Sequence, residues 1–227
     1  MNHGKYRREE LSRILVAQLS LVSPFGRYRD VKGTVGEALD RTQNCLETVV
    51  LPGYRADQFC FNPRHSDQYA TYLYFVSNTA WRSGEDIDLA VDCYRLNKAL
   101  HGLNCMYDTA LPDVFVLIHT VGMVLGKADY GSHFVAYQNV TVGTDRGVRP
   151  RIGHGAVLFG GSMVLGNTSI GDRAVVSANS TVINQDVPAD SIAAGASPNL
   201  TIKSRRRDFS VDYYDKSLGL APPPRTP

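Results

Sequence analysis

The chain has 227 residues, of which 43% are apolar and 20% charged, with 24 basic against 22 acidic residues and a formal net charge of +2. This balance gives no reason to expect nucleic acid or an acidic membrane as a partner. The four cysteines, Cys45, Cys60, Cys93 and Cys105, form no C-x-x-C pair and no metal-ligand spacing, so they read as reduced thiols and no metal site is expected.

In chain order, the first segment is "MNHGKYRREELSRILVAQLSLVSP". It places Leu11, Ile14, Leu15, Leu19 and Val22 at helical spacing, with Arg13 and Gln18 between them. It lacks the unbroken apolar core of a signal peptide, and no stretch reaches the ~20 apolar residues of a membrane span, so a cytoplasmic protein is expected. A second helix, over 34–51, opens with Thr34 and Glu37 spaced as a capping box and carries Val35, Ala38, Leu39, Cys45, Leu46 and Val49 on its apolar face. A third covers 66–82. A fourth starts after Ser83 with Ile87, Ala90, Val91, Tyr94 and Leu100 on one stripe.

From about Asn104 the texture changes: glycine becomes frequent, β-branched residues accumulate, and aliphatic residues recur every six positions at Ile152, Leu158, Val164, Ile170, Val176 and Val182. Four positions after the first five of these stand the small residues Ala156, Ser162, Thr168, Ala174 and Ser180. Six is neither the 3.6 of a helix nor the 2 of a simple strand. Two registers in step predict a β-solenoid, in which short strands are joined by tight corners and the aliphatic residues form a ladder inside. The expected class is α+β: a helical domain over 1–103, a solenoid over 104–200 and a tail over 201–227. The tail has no hexads. Its proline-rich end is expected to be mobile or laid as a strap along a neighbour.

The hexads resemble the left-handed parallel β-helix of the hexapeptide-repeat acyltransferases. More narrowly, a helical first half followed by "HTVGMVLG" (119–126), "QNVTVG" (138–143), "RPRIG" (149–153) and "LGN" (165–167) is similar to serine acetyltransferase. The resemblance implies an acetyl-CoA-dependent O-acetyltransferase, with acetyl-CoA as donor co-substrate and a small-molecule acceptor. It also implies a homotrimer, which could pair into a dimer of trimers, with active sites between subunits.

It places the catalytic base at His119, since imidazole titrates near working pH. The other histidines are weaker candidates: His3 lies at the terminus, His65 and His101 sit in or beside helices, His133 stands in a loop that matches the family poorly, and His154 is expected to be an exposed turn residue. The aspartate that orients the family's base aligns with Asn104. A second family histidine aligns with Arg149, and an Asp-Pro pair that grips the substrate ammonium aligns with Asn62-Pro63. An amide can fix a histidine tautomer but supports an imidazolium less than a carboxylate does, and a guanidinium recognises carboxylate or phosphate. These departures predict an acceptor other than free L-serine, such as a sugar or another metabolite hydroxyl. The resemblance lays the pantetheine arm along backbone at Gly143, Gly160, Gly161 and Ala178. Where the family carries a lysine near the cofactor's phosphates, this chain has Val175, so Lys203, Arg205 and Arg206 are candidates to supply that charge. An N-acetyltransferase on an amino-sugar shares the fold, and a non-catalytic scaffold is the alternative from a different class.

Overall fold

The computed structural model describes residues 8–23, 26–52, 54, 61–84 and 86–215. Four helices come first: α1 (Arg8–Val22), α2 (Val31–Glu47), α3 (Ser66–Ser83) and α4 (Ile87–His101). α3 is buried from Asp67 to Ala80 and packs between α2 and α4, and its buried polar residues find partners: Ser77 Oγ donates to the Ala90 carbonyl and Asn78 Nδ2 to the Tyr107 carbonyl.

Two expectations are corrected here. α2 begins three residues before Thr34, because Asp30 caps it by accepting the Gly33 N–H at 2.9 Å, and the Thr34–Glu37 box goes unused. The stripe on α4 is also turned. Ile87 and Leu100 are 45% and 51% exposed, whereas Leu89, Ala90, Cys93, Leu96 and Asn97 face inward. Asn97 is tolerated in the core because its Nδ2 donates to the Ala70 carbonyl at 2.8 Å. Cys45, Cys93 and Cys105 are buried free thiols, and Cys60 lies outside the described residues.

Beyond Gly102, in the left-handed conformation that ends α4, the chain winds into a three-sided solenoid. The first sheet holds β1 (Phe115–Ile118), β4 (Phe134–Tyr137), β7 (Val157–Leu158), β10 (Val175–Val176) and β12 (Ser191–Ala194). The second holds β2 (Val124–Leu125), β5 (Thr141–Gly143), β8 (Met163–Leu165) and β11 (Thr181–Ile183). The third holds β3 (Asp129–Tyr130), β6 (Arg151–Ile152) and β9 (Ser169–Ile170). All these pairs are parallel.

Ile152 pairs with Ile170, Leu158 with Val176 and Val164 with Val182, so one coil takes 18 residues (170 − 152), or three hexads. All six aliphatics are buried, as are the five small residues. A separate corner, one residue after the aliphatic position, demands glycine: a Cβ on Gly153 would lie 2.5 Å from the Gly171 carbonyl carbon in the next coil. The segment 144–150 lengthens one coil, since Val142 pairs with Val164, 22 residues on (164 − 142).

After the solenoid, β13 (Thr201–Ser204) pairs antiparallel with β12, and the chain then returns along the outside of the first sheet of the same molecule. Tyr213 and Tyr214 pack on Val116, Ile118, Val135, Val157 and Val175, Tyr214 Oη donates to the Phe134 carbonyl at 3.0 Å, and the Asp215 N–H reaches the Thr48 carbonyl at 2.9 Å. Residues 201–215 are therefore an intramolecular strap. Residues 216–227, with the proline-rich end, lie outside the described residues.

Beneath the strap sits a histidine pair. The His133 ring meets His154 at 5.2 Å and Tyr214 edge-on at 4.8 Å, and its Nδ1 lies 2.8 Å from Ser132 Oγ. His154, expected to be exposed, is 7% exposed, and its backbone N–H donates to Asp172. Burial, and secondarily the neighbouring imidazole, pushes the pKa of His133 down to about 4.

The unfolded chain takes up this proton near pH 6.5, while the folded one resists it to about pH 4. The contribution is therefore complete above pH 6.5 and is lost as pH falls through that window. Denaturant unfolding at pH 7 and pH 5 should show a loss of about 1–2 kcal/mol from this group, reduced from the full shift by solvent screening of a half-exposed ring. His133→Asn, which suits the positive φ of 61° at that position, should flatten the difference.

Candidate active site

The corner between β1 and β2 is irregular. Backbone bonds align Val121, Gln138, Gly160 and Ala178 in one column, because the carbonyls of Val121, Gln138 and Gly160 each accept from the following coil. In the preceding column stand Ile118, Tyr137 and Phe159; Ile118 and Tyr137 pair directly. Tyr137 is followed at once by Gln138, but two residues, His119 and Thr120, intervene between Ile118 and Val121. This two-residue insertion throws the His119 side chain outward, at 73% exposure, with a left-handed φ of 53°.

The imidazole stands in an open cleft of about 690 Å³ between the helices and the first coil. Helix α3 contributes Ser66 and Asp67 at its start, with Arg64 and His65 just before it, and α4 contributes Leu100 and His101. Tyr54 and Tyr137 complete the wall. Asp67 is nearly buried. It accepts the backbone N–H of His119 at 3.0 Å and that of Thr120 at 3.4 Å, and its Oδ2 lies 4.0 Å from His119 Nδ1. His101 Nδ1 is 3.0 Å from Ser66 Oγ. Burial lowers its pKa, with Asp67 opposing. Burial and the Asp67 carboxylate raise the pKa of Tyr54, whose hydroxyl donates to the Leu117 carbonyl.

The other predicted residues are distributed unevenly. Asn104 does not line this cleft; its Oδ1 accepts the Tyr94 hydroxyl at 2.7 Å, and its backbone bridges to Val124. Asn62 lies at the entry to α3, its Oδ1 accepting the Arg64 N–H at 3.0 Å and its backbone N–H donating to Gln68. Gly160, Gly161 and Ala178 lie in or beside the column that begins at the His119 corner. Gly143 ends the neighbouring strand β5, and Arg149 is exposed in the 144–150 segment.

Lys203 is exposed on β13 and shares a shallow groove of about 520 Å³ with Arg206. Arg205 is not available there. At 10% side-chain exposure it is held by Asp190 and by Asp208 at 3.1 Å, and Arg173 and Arg205 together hold the Asp190 carboxyl down to about 2. Asp67 was not visible in the sequence, where an acidic residue in the first turn of a helix is ordinary. His65 and His101 carry no motif either.

A helical cap followed by a three-sided solenoid built of hexads, with an imidazole presented at one corner, is the arrangement of this chain, and solved structures of other proteins share it. Solved structures sharing the fold include the serine acetyltransferase of Brucella abortus (TM-score 0.65, 16% identity, 88% of this chain and 85% of that one). Another is a serine acetyltransferase solved in complex with CoA (TM-score 0.63, 18% identity, 88% of this chain and 86% of that one).

In sequence the chain is serine acetyltransferase-like. It is 31% identical to serine acetyltransferase 2 of Arabidopsis thaliana over 148 residues, or 63% of this chain and 45% of that protein. It is 35% identical to the Staphylococcus xylosus serine acetyltransferase over 105 residues, or 44% and 48%. The chain thus spans about half the length of these curated relatives. No protein-family model matches it.

Proposed function

We propose that the chain is an acetyl-CoA-dependent O-acetyltransferase that acylates the hydroxyl of a small molecule, with His119 as general base. The observation that carries this reading is the two-residue insertion. It lifts His119 alone out of an otherwise regular corner and into a cleft. The neutral imidazole takes the acceptor's hydroxyl proton as the oxygen attacks the thioester carbonyl. The C–S bond then breaks, and the proton passes to the departing CoA sulfur.

Gly160, Gly161 and Ala178 carry little side chain, so a pantetheine arm can lie close against the backbone there, beside the Gly161 N–H and Gly160 carbonyl that hold adjacent coils together. Lys203 and Arg206 supply charge for its phosphates. The half-buried, uncharged outer face of Val124, Met163, Leu165 and Ile183 supports a trimeric assembly.

The acceptor in this reading is an alcohol other than free L-serine. The one carboxylate among the described residues lining the cleft, Asp67, is already taken up by two backbone N–H groups, while Arg64 adds an exposed cation to the same wall. The test is thiol release from acetyl-CoA across a panel of L-serine, sugars, hydroxy acids and an amino-sugar. Release with a hydroxy compound is expected. Turnover of L-serine at ordinary enzymatic rates would overturn the acceptor class. Preference for the amino-sugar would make the chain an N-acetyltransferase, and silence across the panel would favour a scaffold.

A further inference from the structure

We propose that Asp67 is the positioning carboxylate of His119, reaching the solenoid from the helical cap and holding the base in its left-handed conformation. The inference rests on the reading of His119 as the base and goes beyond it, because the residue expected in this role, Asn104, is engaged elsewhere by Tyr94.

A non-glycine residue in the left-handed region costs on the order of 1–2 kcal/mol, so its surroundings must over-determine it. Here they do. One nearly buried carboxylate accepts the N–H groups of His119 and Thr120, the two inserted residues, and fixes the corner at both. A buried carboxylate with no such donors would be expensive to hold ionised. Among the described residues no lysine or arginine is paired with it. The charged and titratable groups around it come from every packed element: Arg64 and His65 before α3, Tyr54 from the segment after α2, His101 at the end of α4, and His119 itself.

The 4.0 Å from Oδ2 to Nδ1 is a charge contact, too long for a hydrogen bond. At that distance a carboxylate favours the imidazolium that forms as the acceptor's proton arrives. Asp67 thus acts twice, through the backbone on where the ring points and through space on its charge.

The test reads the His119 corner directly by NMR, through the amide protons of His119 and Thr120, with no need of a known acceptor. In Asp67→Asn the His119 and Thr120 N–H groups should lose hydrogen-exchange protection about fivefold or more, because a neutral amide accepts them more weakly than a carboxylate. With an active acceptor, kcat should drop about tenfold or more and the KM for acetyl-CoA should hold. Unchanged protection in a folded variant would overturn the proposal. Should Asp67→Asn fail to fold, the wild-type protein answers instead. The His119 and Thr120 amide shifts should follow the Asp67 carboxyl 13C shift as acid is added, and amides that ignore it would be equally fatal. Neither readout depends on catalysis, so a chain that is no acetyltransferase could still pass them, and an acetyltransferase could still fail.

Discussion

Replacing His119 with asparagine should lower kcat by about 10²–10⁴, the range a positioned general base supplies, and leave the KM for acetyl-CoA within about twofold. Asparagine is the informative choice because it tolerates the left-handed backbone that alanine would strain. The variant should therefore melt with wild type and separate chemistry from folding. Steady-state kinetics on an accepted alcohol decide it. A variant with wild-type kcat would remove the base from this residue, and a loss confined to KM would make His119 a binding group.

The second large effect concerns the strap. Tyr214 is among the largest fully buried side chains, and its hydroxyl satisfies the Phe134 carbonyl. Tyr214→Ala should cost about 3–5 kcal/mol for the lost core volume, with a further penalty for the orphaned carbonyl. In a chain of this size that is a fall in Tm of roughly 10 °C or more. Tyr214→Phe keeps the ring and should cost only about 1 kcal/mol. Thermal melts of the two variants separate packing from hydrogen bonding. An alanine variant within about 2 °C of wild type would mean the strap does not hold the sheet.

The solenoid was legible in the sequence because its cause is local and repeated. A narrow triangular interior admits one aliphatic and one small residue per side, and that demand prints a period of six. α3 was legible to within a residue because Tyr69, Ala70, Tyr72, Leu73, Tyr74, Phe75 and Val76 crowd into eight positions, although polar residues on either side are buried with them. The α4 stripe misled because apolarity is a poor guide to facing when polar residues find partners inside: Asn97 bonds to Ala70, Asp92 accepts from Tyr28, and Ile87 and Leu100 are left outside. His119 was singled out by its motif. Asp67 was not, because its contact with the β1–β2 corner forms only when the first turn of α3 docks there, 52 residues further along the chain. The strap left no trace either: Phe209, Tyr213 and Tyr214 follow no period, and what they cover is a surface made by strands far upstream.

A stack of coils is ordinarily held by nearest-neighbour terms, so its last turn can peel away at little expense to the rest. Here the residues after the final coil are stitched to Thr48 and Val50, beyond the end of α2, across the whole height of the first sheet. A quasi-linear array has become a closed circuit. Loosening either end strips cover from the middle, and the molecule is built to open as one unit.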